Sequence, residues 1–320
     1  MKKCCEKSTL FLLVLLLASF ISKAQITWDG SSSTDWNTTA NWSTNSVPTS
    51  SDDVIIPDVT NDPVLSSSSD VCKDMTIQNG AILTSNNSSY KLTASSITVN
   101  DGGSLVISNG DVEITGTSDI NGILEIGTGT FDANGTFDAT DGSVTFSDAG
   151  RLELAGTVSS LGTLTELTGT VEYNGGTQNV LAEDYYNLVI DQSGNKTAQG
   201  VINVANNMTI SNSASFLTST NTIDVSGATT VDATLEIGNA LYNSRGGFSA
   251  TGDINFSHGG GKLRFYTVSP TSLGILDNTL GTVVYMSGST NVLSDDYIPL
   301  QLIMVVQPKH FKEMQVLQVI

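Results

Sequence analysis

The side chains that could do chemistry in this sequence are few and scattered. Asp52 and Asp53 form one adjacent carboxylate pair, and Asp295 and Asp296 another. His258-Gly259-Gly260-Gly261-Lys262-Leu263-Arg264 sets a histidine near two cations. A polysaccharide lyase or glycoside hydrolase needs clustered carboxylates for acid–base work or for calcium, and a cation for the substrate's charge. Neighbouring residues of a strand point to opposite faces, so an Asp-Asp pair alone is not a dyad. The glycine-rich stretch reads as a surface turn. Aspartates are spread along turns but do not follow the Gly-Gly-x-Gly-x-Asp pattern of calcium-binding solenoids. Calcium therefore has no support, and no cofactor is implied. Cys72 is the only cysteine after residue 24, and His258 and His310 are the only histidines, too few ligands for a structural zinc. Phosphate loops, nucleophile elbows and dinucleotide fingerprints are missing. No residue is assigned a catalytic role.

The remaining chemical candidates are Trp28, Trp36 and Trp42, all the tryptophans of the chain, within 15 residues. Exposed, they would form a stacking platform for sugar rings. Buried, they would cap the end of a repeat array, where bulky aromatics cover an open core and block edge pairing. The cap is the preferred reading, because aromatics stabilise mainly by burial.

The elements that must position these residues are short strands. Gly, Ser, Thr, Asn and Asp dominate the polar residues, a composition that favours strands and tight turns over helices. Turn glycines end at 103, 122, 142 and 162, spaced 19, 20 and 20 residues apart. Alternating strands follow them: Leu105/Ile107, Leu124/Ile126, Val144/Phe146, then Leu164 with the pattern fading at Glu166. A second strand carries Val112/Ile114, Phe131/Ala133, Leu152/Leu154 and Val171/Tyr173. A weaker third carries Ile97/Val99, Ile120, Phe137/Ala139 and Val158. Three strands per period of about 20 residues predict one rung of a parallel β-helix, an all-β fold. Single rungs cannot bury their apolar side chains, but stacked rungs bury them in a continuous column. A sandwich of hairpins is disfavoured, because strands come in triplets and are only four or five residues long.

A longer repeat lies above the rung. Gly169-Thr170-Val171-Glu172-Tyr173 recurs as Gly281-Thr282-Val283-Val284-Tyr285, and 11 of the 20 positions from 169 to 188 are identical at an offset of 112. From Met304 the character changes, with no Gly, Ser, Thr, Asn or Asp through Ile320. Shifting the reading frame makes Met304-Val305 encode glycine and restores the Gly-Ser, Lys-Thr and Gln of the first copy. Residues 303–320 are therefore expected to be a frameshifted tail, and the chain the N-terminal part of a larger protein.

The opposite end reads as a signal peptide over residues 1–24. Lys2, Lys3 and Lys7 precede a 12-residue run, Leu10 to Ile21, that is apolar apart from Ser19, and Ser22-Lys23-Ala24 supplies small residues for cleavage. Such a run is short of the roughly 20 residues that span a bilayer, and no later segment is long enough. The mature chain should be secreted, to the exterior or the cell surface. The full chain carries net charge −19; without residues 1–24 it has 9 cations against 31 anions, a net −22. That charge disfavours nucleic acid and anionic lipid as partners.

Residues 26–57 read Ile26-Thr27-Trp28-Asp29-Gly30, Asp35-Trp36-Asn37, Asn41-Trp42-Ser43, Val47-Pro48 and Asp52-Asp53-Val54-Ile55-Ile56-Pro57. This pattern resembles the start of Bacteroidetes-type secreted, repeat-rich surface proteins. The resemblance covers about 50 residues closely and the rungs in style. It implies a parallel β-helix, right-handed as in known solenoids, in an adhesin-like surface protein that meets extracellular polysaccharide or other cell-surface components. The expected organisation is a Trp-rich cap over 25–70 and a β-helical region over 71–302. A polysaccharide lyase or glycoside hydrolase of the β-helix type is the alternative.

Overall fold

The computed structural model describes residues 25–256, 259–266, 270–277, 280–286, 293 and 303–304. The signal segment, His258, Asp295, Asp296 and nearly all of the atypical tail lie outside the described residues.

The described chain is a parallel β-helix. Each turn visits three faces in order, and the described strands pair in parallel. The first face begins with Ile26–Thr27 and Val54–Ile56, then Asp74–Ile77, Ser96–Val99, Ser118–Ile120, Phe137–Asp138 and Val158–Ser160. The second face carries Ile123–Ile126, Ser143–Phe146 and Thr163–Thr165, and the third Thr130–Ala133, Arg151–Leu154 and Thr170–Tyr173. Two longer strands, Ile82–Ala94 and Ser104–Ile114, run through the corner between the second and third faces. After Tyr173 the order continues: Gln178–Val180, Asp184–Tyr185 and Asn187–Ile190 occupy the first, second and third faces.

Period-2 alternation builds the core. Strand after strand shows one half-exposed residue followed by one buried residue. Equivalent inward residues stack in register, so Leu92, Val112, Phe131, Leu152, Val171, Leu188 and Met208 form one column on the third face. Each is at most 2% exposed. The inward residues expected from the sequence, from Ile97 and Val99 through Val171 and Tyr173, occupy these columns, except Leu164.

The corner glycines are needed for two different reasons. Gly102 and Gly162 have φ of +74° and +65°, the left-handed region that glycine enters freely. Gly135 does not; there a Cβ would lie 2.1 Å from the Gly116 carbonyl of the rung below. Stacking at strand spacing, about 4.8 Å, leaves no room for a side chain at that corner.

The Trp-rich segment is built onto the first rungs instead of preceding them. Ile26 and Thr27 pair with Val54 and Ile55, which pair with Met75 and Thr76. The boundary expected at residue 70 is therefore not a break in the ladder.

Candidate functional site

The three tryptophans are buried, at 0%, 0% and 1% exposure. Trp42 packs edge-on against both Trp28 and Trp36, with ring centroids 4.9 and 4.7 Å apart. Trp28 Nε1 donates to the Asn61 carbonyl and Trp42 Nε1 to the Trp36 carbonyl, both at 2.7 Å. Asn41, also buried, holds the loop by accepting from the Ser32 and Ser33 amides and donating to the Asp35 carbonyl. Their ring faces are covered, so the stacking platform expected as one reading of Trp28, Trp36 and Trp42 is not formed. Burial of all three indoles is what a cap over the end of the array requires.

Asp52 and Asp53 do different jobs, as their adjacency requires. Asp52 accepts from the Thr49 amide and hydroxyl, whereas Asp53 pairs with Lys73 at 3.0 Å. Lys262 and Arg264 both project outward from Lys262–Phe265 on the second face, half-buried. Cys72 is buried and its thiol is pushed up to about 12, first by burial and then by Asp74 and Asp53.

The densest chemistry is a ladder on the outer side of the third face. Glu113, Asp132, Glu153 and Glu172 occupy the same register position on four successive rungs. Strand spacing puts such neighbours about 4.8 Å apart along the axis. The flanking register position holds Lys91, Asp111, Thr130, Arg151 and Thr170. Lys91 pairs with Glu113 at 2.8 Å, and Arg151 with Glu172, with Glu153 3.8 Å from its Nε. Removal from water raises the carboxyl pKa of Asp132, Glu153 and Glu172; at Glu153 the Glu172 charge adds to the rise. Among the described residues, no group of three or more His, Cys, Asp or Glu side chains could hold a metal ion.

Carboxylates at ladder spacing, with one proton held more tightly than usual, are the elements of general acid–base chemistry on a sugar. The sequence contained the signal. Each of these residues sits between the two inward residues of its strand, as in Val112-Glu113-Ile114 and Leu152-Glu153-Leu154. The inward residues set the register, but a period-2 pattern does not say which outward residues end as stacked neighbours.

An open hollow of about 340 Å³ lies at the corner after the first face, lined by Leu217, Ser219, Thr220, Glu236, Gly238 and Asn239. It is remote in sequence from the carboxylate ladder.

Among known families, a domain of unknown function (DUF8693) aligns with residues 27–132. That region runs from the tryptophan cap to Asp132 and covers about a third of the chain. No curated protein and no solved structure matches the chain.

Proposed function

We propose that this protein is an exported cell-surface scaffold of adhesin-like type, whose solenoid presents a long polar face to extracellular polysaccharide or other surface components. The observation carrying this reading is the third face, an unbroken parallel ladder of eleven strands from Asp70–Val71 to Ser272–Asp277. At about 4.8 Å per rung it forms a rod roughly 50 Å long. Such a ladder fixes identical spacings between outward side chains, which suits repeated contacts with a polymer. The signal segment read from residues 1–24 supports the location.

One observation favours a second reading. The carboxylates Glu113, Asp132, Glu153 and Glu172 with Arg151 could act on a glycosidic bond, as a lyase or hydrolase would. A panel of acidic and neutral polysaccharides separates the two. The scaffold reading expects binding to glycans or cells without turnover. Reproducible product release that disappears in Glu153→Gln and Glu172→Gln would replace it with the enzyme.

A further inference from the structure

We infer that residues 169–188 form a yielding joint that divides the solenoid into modules. This mechanical role deepens the scaffold reading, but it rests on the ladder itself.

Two of the three faces are interrupted at this point. Val158–Ser160 pairs with Phe137–Asp138 behind it, and Thr163–Thr165 with Ser143–Phe146; neither has a ladder partner in the following rung. Gln178–Val180 and Asp184–Tyr185 likewise pair only with the rung ahead. The third face alone passes through, since Thr170–Tyr173 pairs with strands on both sides. The apolar column fails at the same place. Leu105, Leu124 and Val144 are fully buried, but Leu164, next in register, is half-exposed, and the exposed Leu167 sits at φ +32°.

Side-chain hydrogen bonds take over where the ladder stops. Gln178 Nε2 donates to the Leu154 and Gly156 carbonyls of the preceding turn at 2.8 and 2.7 Å. Its Oε1 accepts from the Gly175 amide. Tyr173 Oη lies 3.0 Å from Tyr185 Oη, and this buried pair brackets Leu181. Tyr173 Oη accepts from the Leu181 amide and Tyr185 Oη donates to the Leu181 carbonyl. Lys196, buried next to Gln178 in register, donates to the Gln192 and Ser193 carbonyls. A few side-chain bonds thus stand in for two ladders. Backbone ladders are cooperative, so replacing them locally lowers the free energy of opening there.

The sequence repeats these parts. Tyr173, Leu181 and Tyr185 recur as Tyr285, Leu293 and Tyr297 at the offset of 112. Tyr285 is fully buried and Leu293 packs on the core. Thr282–Tyr285 passes its face onward to Ile303–Met304, as Thr170–Tyr173 does to Asn187–Ile190. The two copies sit on different faces, the third for the first copy and the second for the other.

Hydrogen exchange on the full native chain tests this without any partner, so it is independent of whether the protein binds or cleaves glycans. Amides of 158–165 and 178–185 should exchange at least tenfold faster than those of 137–146 in the preceding rungs. Tyr173→Phe and Tyr185→Phe should each speed exchange at the joint and leave 104–126 unchanged. Pulling the chain from its ends should give separate extension steps on either side of the joint. Equal protection of 158–165 and 137–146, or a single all-or-none extension, would overturn the proposal.

Discussion

At the residue scale, the tryptophans and glycines show how position outweighs residue type. Trp42 contacts both other indoles, so Trp42→Ala should remove about 3–5 kcal/mol of stability, as large buried aromatics do. Urea denaturation reads this directly. Tryptophan emission of the wild-type chain should be blue-shifted and unmoved by added glycans; a red-shifted, glycan-sensitive spectrum would reopen the platform reading. Glycines divide in the same way. Gly135→Ala places a methyl against a neighbouring backbone carbonyl and should be clearly destabilising. Gly176→Ala meets nothing within 4 Å and should be neutral or stabilising by up to about 1 kcal/mol, through the unfolded chain. Comparable losses at both positions would refute the close-stacking explanation.

At the element scale, the carboxylate ladder makes a prediction about pH. Asp132, Glu153 and Glu172 hold their protons more tightly when folded, mainly because burial disfavours the charged form. A folded pKa above the unfolded value favours folding as pH falls and opposes it as pH rises through the folded value. Asp35 and Asp74 have the opposite sign, held low by hydrogen bonds from Ser66 and Lys73, and lose their contribution only below the usual carboxylate range. The Tm should therefore rise as pH falls from neutral toward the ordinary carboxylate range, about pH 4. Glu153→Gln should flatten that rise. An unchanged slope in the variant would assign the effect to net charge in general.

At the scale of the whole molecule, stability and solubility depend on the ends of the rod. A solenoid exposes unpaired backbone and open core at its termini, and these surfaces promote edge-to-edge association. Trp28, Trp36 and Trp42 pack in one buried cluster with Ile26, Val54 and Ile56 of the first strands, the position from which a cap would cover one such end. A Trp36→Ala/Trp42→Ala double variant should consequently form larger assemblies at concentrations where the wild-type chain does not, as measured by light scattering. If the double variant scatters no more than wild type, the tryptophans stabilise the first rung without guarding the end.

Much of this architecture was legible in the sequence. The spacing of the turn glycines and the alternation after each one define the rung, because a buried column requires side chains at period 2 and corners at fixed intervals. Even the fading of the pattern at Leu164 and Glu166 marked a real feature, the end of two ladders. Tertiary structure alone decided the rest. Stacking order selects which outward residues become neighbours, so Glu113, Asp132, Glu153 and Glu172 are a ladder only in space. The sequence favoured burial of Trp28, Trp36 and Trp42, but residue type does not state burial, and only the packing shows all three indoles covered. And the repeated tyrosines gained meaning only when Tyr173 met Tyr185 across a turn of the solenoid, at the point where backbone pairing gives way to side-chain hydrogen bonds.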